Sequence, residues 1–155
     1  MGRRALSMVT EPLAREGVIF QPLLTELCLR CDLFSVCIGA TRPLASYRVV
    51  SVRSHYNFCP ALREKLRVVV VEEMPVKLAI EAPFIAPGAE IKYRKPACSG
   101  APGCDAISVE EGERVRILRE LQRIGDNLWL VEAEPLDPPS PRLWLIAKQK
   151  LLRAR

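Results

Sequence analysis

The sequence predicts a mainly β protein: a β-rich α+β chain of two similar small β units with cysteine loops, and short helices only. Three observations carry that expectation. Short β-branched runs recur, above all 47-YRVVSVR-53 and 67-RVVVVEE-73. In 113-ERVRILRE-120, Val115 and Ile117 alternate with Arg114 and Arg116, the period of two of a half-buried strand. A cysteine loop also precedes a strand twice, Cys31-x5-Cys37 before YRVVSVR and Cys98-x5-Cys104 before ERVRIL. Two matched features at similar spacing are the mark of a repeated unit. The units are expected at 1–82, with the cysteine cluster, and at 83–155, with a proline-rich C-terminal extension, the two packing together or merging into one compact domain.

Taken in order, the N-terminal MGRRALSMVTEPLAREG has two early arginines, but its apolar stretch breaks within a few residues, so no secretory signal is expected. The cysteine loop 28-CLRCDLFSVC-37 follows, then the strands 47–53 and 67–73. The segment 74-MPVKLAIEA-82 reads as a short helix with Pro75 in its first turn. Cys98 and Cys104 bracket SGAPG, a turn-forming loop. Strands are expected over 113–120, 128–134 and 142–148, the last two separated by the turn-rich 135-PLDPPSP-141. The final KQKLLRAR reads as a helical turn or a frayed tail.

A length of 155 residues bounds the chain to one domain or two very small ones, and 49% hydrophobic residues are enough for a core. The longest apolar runs, such as 68-VVVV-71, are far too short to span a bilayer, so a soluble, cytoplasmic protein without a membrane partner is expected. A formal charge of +5 and a pI near 9.0 permit an acidic partner such as RNA without demanding one. Phosphate-loop, serine-elbow, HExxH and dinucleotide-binding signatures are all absent from the sequence. With a single histidine, His55, a histidine-based triad would depend on that residue alone. The acidic pairs Glu72-Glu73 and Glu110-Glu111 read as solvated strand ends or loops. These absences lean against an enzyme and leave the question open to an electron-transfer role.

The cysteines carry the chemistry. In a reducing compartment, clustered cysteines are more often metal ligands than disulfides. Cys28 and Cys31, separated by two residues, suit a tight turn that aims both sulfurs at one ion, and Cys37 closes the same face. A four-ligand site needs one more thiolate, and Cys59 in 55-HYNFCP-60 is the nearest candidate. Pro60 resembles the Cys-Pro ending of ferredoxin cluster loops. His55 is an alternative ligand, or a hydrogen-bond partner to a sulfur. Structural zinc sites use two pairs of ligands, whereas the arrangement here is three plus one, which favours an iron–sulfur cluster over zinc. The C-x2-C-x5-C run resembles the iron–sulfur staple of RecB-like and Cas4-like nucleases, although their remote cysteine precedes the triplet and their carboxylate–lysine set is missing here. The plainer alternative is that these are core cysteines among Leu29, Leu33, Phe34 and Val36. Three thiols in ten residues is dense for packing alone. Cys98 and Cys104 are expected to form a local pair: a disulfide, two ligands of a second site, or part of one six-cysteine arrangement.

The order C-x2-C-x5-C, YRVVSVR, histidine, cysteine, RVVVVEE, PGAEIKY, second cysteine loop and GERVRIL is similar to an archaeal family known as uncharacterised protein family 0179, over about residues 8 to 134. The resemblance implies an archaeal intracellular protein and brings no established activity. It places the family's cysteines on Cys28, Cys31, Cys37 and Cys59, its histidine on His55, and its second loop on Cys98 and Cys104. The family's second loop carries a third cysteine that this chain lacks.

Two sets of arginines raise a second possibility. Arg48, Arg53, Arg63 and Arg67 flank the cysteine site, and Arg114 and Arg116 mark the second unit; arginines on the polar faces of small β units can track a phosphate backbone. Aromatic residues make up only 6%, a poor supply for base stacking, and 18 acidic residues are present to pair with the cations. The expected function is thus a non-enzymatic metal-binding protein, with an iron–sulfur cluster or zinc in a structural or redox-sensing role. The alternatives are a metal-stapled RNA- or ribosome-associated binding module and an electron-transfer enzyme or enzyme subunit.

Overall fold

The computed structural model describes residues 2–152. It is mostly β, with two four-stranded antiparallel sheets and a few short helices, as the sequence predicts. By contact the chain divides into two compact units. The first takes residues up to Met74 and the segment from Pro139 onward; the second spans Pro75–Pro138. Among the described residues no helix is long and apolar enough to cross a membrane.

The first unit holds β1 (Arg4–Val9), β2 (Ile19–Phe20), β3 (Tyr47–Cys59) and β4 (Glu64–Glu73), in spatial order β1-β4-β3-β2. The β-branched runs become the long β3/β4 hairpin. Val49 stands opposite Val71 and Val52 opposite Val69, and Val49, Val69 and Val71 are fully buried. Register shifts between Val49 and Ser51 and between Val52 and Tyr56 place bulges in β3, which bend and twist the strand. At the hairpin tip, Arg63 N donates to Cys59 O at 2.8 Å, and Arg63 adopts a left-handed φ of 56°. Cys59 is therefore the last residue of β3, held at the turn.

A buried ion pair anchors the other end of this hairpin. Arg42 Nε donates to Glu73 Oε1 at 3.0 Å, Tyr47 OH donates to Glu73 Oε2 at 3.0 Å, and Arg42 N donates back to Tyr47 OH at 2.8 Å. Burial pushes the Glu73 carboxyl above its ordinary range against the pull of the Arg42 guanidinium. Burial and the Glu73 charge likewise raise the Tyr47 phenol.

Residues 142–148, expected as a strand, instead begin a helix, α2 (Arg142–Ala147), after the four-residue α1 (Phe34–Cys37). Leu143, Trp144 and Ala147 are buried while Leu145 and Ile146 are exposed. That is the i, i+1, i+4 pattern of a helix face, not the alternation of a strand. Trp144 Nε1 donates to Thr41 O at 2.9 Å and ties the helix to the segment before β3.

The second unit holds β5 (Val76–Glu81), β6 (Glu90–Lys92), β7 (Arg114–Gly125) and β8 (Leu128–Pro135), in spatial order β5-β8-β7-β6. The segment 74–82, expected as a helix, is thus strand β5. Val76, Leu78 and Ile80 are buried and Lys77 is exposed, and Pro75 stands just before the strand, where its missing N–H costs no ladder bond. The strand pairs in register with β8 from Val76 opposite Ala133 to Glu81 opposite Leu128. The β7/β8 hairpin closes through Asp126 and Asn127, with Asn127 at φ 55°. In each unit the first strand pairs the fourth, the fourth the third, and the third the second. Each cysteine loop lies between the second and third strands of its unit.

Candidate functional site

The first cysteine loop folds as two short turns. A 3-10 turn over Cys28–Arg30 leads into Cys31, and Phe34 N donates to Cys31 O at 3.1 Å as α1 begins. These turns place Cys28, Cys31 and Cys37 around one pocket, and the tip of the β3/β4 hairpin brings Cys59 to the same pocket. The remaining wall is apolar and includes Met8, Leu27, Phe34, Ile38 and Leu66. All four thiols are unbonded and half-buried. The cysteine loop, α1 and the hairpin tip thus contribute thiols to one pocket.

Three of the four sulfurs have a hydrogen-bond donor aimed at them. Thr25 N reaches Cys28 Sγ at 3.2 Å, and the Thr25 hydroxyl lies at the same distance. Leu33 N donates to Cys31 Sγ at 3.4 Å, and Leu62 N to Cys59 Sγ at 3.4 Å. Donors at sulfur favour the thiolate form. Ser7 Oγ also donates to Cys37 O at 2.6 Å, which joins the end of α1 to β1. Sequence patterns missed these donors, because they are main-chain groups placed by turn geometry; only Thr25, three residues before Cys28, offered a side-chain clue.

Electrostatics work against four thiolates alone. The Cys37 thiol is pushed up from 9.0 to about 12, first by burial and then by charge on Cys28, Cys59 and Cys31. A bound cation reverses that balance, since a coordinating thiol is deprotonated outright. Among the described residues no group of three or more His, Cys, Asp or Glu stands ready-made to hold a metal ion. The four thiols share a pocket without forming a closed coordination sphere.

His55 is exposed within the bulged part of β3, four residues before Cys59, and is not among the pocket's lining residues. Cys98 and Cys104 are joined in a disulfide with Cα atoms 5.5 Å apart. A disulfide leaves neither sulfur free as a thiolate ligand. Gly103 in this loop has φ 79°, and a Cβ there would stand 2.7 Å from Ala79 N, so the loop can lie against β5 only with glycine at that position.

The arginines divide by unit. Arg48, Arg53 and Arg63 are exposed. Arg67 pairs with Glu11 at 3.0 Å, donates to Arg53 O at 2.9 Å and lies over the Tyr56 ring. In the second unit Arg114 pairs with Asp137 at 2.9 Å, Arg116 with Glu90 at 2.7 Å and Glu134 at 3.6 Å, and Arg119 with Glu132 at 3.2 Å. Much of the expected basic face of that sheet is therefore neutralised locally.

Residues 5–129 match the uncharacterised protein family UPF0179. The chain belongs to that family. A UPF0179 protein of Caldivirga maquilingensis is 34% identical over 143 residues, covering 85% of this chain and 98% of the relative. One of Thermococcus onnurineus is 35% identical over 133 residues, covering 81% and 88%. A third, from Pyrobaculum aerophilum, is 31% identical over 144 residues, covering 90% and 86%. The matched region of UPF0179 contains all six cysteines of the chain. No solved structure matches the chain.

Proposed function

We propose that Cys28, Cys31, Cys37 and Cys59 bind one metal centre, an iron–sulfur cluster or alternatively zinc, that ties the cysteine loop to the tip of the β3/β4 hairpin. The observation that carries this reading is the convergence of the four thiols on one pocket although Cys59 lies 22 residues beyond Cys37 (59 − 37 = 22). Four cysteines are a sufficient donor set for either centre. The hydrogen-bond donors at the sulfurs support it, since such donors stabilise thiolates and tune a bound cluster. When bound, the centre would supply a cross-link and, as a cluster, a one-electron couple. The chain's own residues hold the thiols half-buried against an apolar wall. The role is structural or redox-sensing rather than catalytic.

Anaerobic purification followed by metal analysis and an absorption spectrum tests the reading. Iron with sulfide and a broad visible band identifies a cluster, and zinc with no visible band identifies the alternative. Protein that carries neither, and gains neither on reconstitution, overturns it. Reversible one-electron reduction of an isolated cluster would assign the redox role over the structural one.

A further inference from the structure

The second unit contains a pocket of quite different chemistry, of about 450 Å³, between the loop after β5 and the segment that follows β6. Three cations, Lys92, Arg94 and Lys95, line it together with Phe84 and Ile117. Among the described residues the side chains of Lys92, Arg94 and Lys95 make no ion pair, in contrast to Arg114, Arg116 and Arg119 on the neighbouring strand. Phe84 lines the pocket and is 71% exposed, so one face of its ring is open to a ligand. The one carboxylate in the wall, Glu81, is engaged with Ala97 N at 2.8 Å.

Both sides of the pocket are held in place. Tyr93 is buried, whereas Lys92, Arg94 and Lys95 around it are exposed. Tyr93 N donates to Glu113 O at 2.8 Å and Gly112 N to Tyr93 O at 2.9 Å, while Lys95 N donates to Glu111 Oε1 at 2.9 Å. The loop that carries Phe84 is stiffened by Pro83 and Pro87, and anchored by Ala82 N on Asn127 O and Gly88 N on Ile117 O, at 2.8 and 2.7 Å. An exposed ring on a rigid loop beside three cations that outnumber the single wall carboxylate, Glu81, can accept a base on one side and a phosphate on the other. The pocket volume is within the range of small-ligand sites.

We infer that this pocket binds a nucleotide of a single-stranded nucleic acid, its base stacked on Phe84 and its phosphate on Lys92, Arg94 and Lys95. The site is independent of the four thiols. The test uses the full chain and a labelled single-stranded oligouridine, with inorganic polyphosphate as the anion lacking bases. The expected results are oligonucleotide binding that weakens about tenfold in Phe84→Ala and is restored in Phe84→Tyr, and a log–log salt slope that falls by about 0.7 in Lys95→Gln. Polyphosphate binding should ignore Phe84→Ala. Three results overturn the inference: no oligonucleotide binding by the unaltered protein, equal binding by Phe84→Ala with an unchanged melting curve, or equal losses for oligonucleotide and polyphosphate. Metal content measured on the same samples keeps this outcome separate from the fate of the metal reading.

Discussion

Each unit carries a cysteine loop between its second and third strands, and the cysteines of the two loops stand in different states. The second loop is closed on itself by the Cys98–Cys104 disulfide, across a sequence separation of 6. The first loop keeps three unbonded thiols and meets a fourth at a hairpin tip. A link within one loop restrains only that loop. A link among Cys28, Cys31, Cys37 and Cys59 would restrain a loop, a short helix and a strand end together. One topology thus holds a local disulfide in one unit and four unbonded thiols around one pocket in the other. The first unit also needs more help from outside its sheet, since α2 and the buried Arg42–Glu73 pair complete it.

The largest effect should come from the four-thiol site. Cys31→Ser is expected to remove the metal and to lower the melting temperature by more than about 10 °C, because metal binding and folding are coupled in small domains. Metal analysis and calorimetry on one preparation check this. Loss of metal with an unchanged melting temperature would assign the centre a sensing role. Next is the buried pair: Arg42→Leu leaves Glu73 without its cation and should cost about 3–5 kcal/mol in denaturant unfolding. A loss below about 1 kcal/mol would mean that water or Tyr47 satisfies Glu73 alone. The double change Cys98→Ser with Cys104→Ser should cost only about 2 kcal/mol, as expected for so short a closed loop. A larger loss would show that the disulfide holds more than its own loop.

The last expected effect concerns pH and is confined to alkaline solution. In metal-free protein the folded Cys37 thiol titrates near 12 rather than 9.0. The folded state therefore keeps a proton that the unfolded chain releases, so this contribution is complete below about pH 9 and fades as pH rises toward 12. Denaturation of metal-free protein across that window should show stability falling with pH, with a shallower fall in Cys37→Ala. Equal slopes would place the burial of Cys37 in doubt.

The sequence disclosed the sheets better than the helices. β3, β4, β7 and β8 were legible because Val-rich and alternating segments bury one face whatever their partners. Residues 142–147 were not, because a short apolar run such as RLWLIA satisfies both periods, and only tertiary burial of Leu143, Trp144 and Ala147 decides for the helix. Residues 76–81 failed in the opposite direction: Pro75 reads equally well as a helix start or a strand boundary. β1 was not anticipated at all, since its pairing with β4 is a long-range choice that RALSMV does not announce. Cys59 was singled out in the sequence as the thiol nearest the first three, and the hairpin turn explains why it lines the same pocket. The exposed bulge around His55 could not be foreseen, because bulges depend on how two strands settle in register.

The contrast between the two loops is tested most directly by counting accessible thiols in anaerobically purified protein, by alkylation and mass spectrometry. The account predicts that Cys28, Cys31, Cys37 and Cys59 are protected together and become reactive when a chelator strips the metal. Cys98 and Cys104 should stay protected until a reductant is added. Immediate alkylation of the first four, with no metal present, would contradict the central claim, and so would chelator-dependent exposure of Cys98 and Cys104.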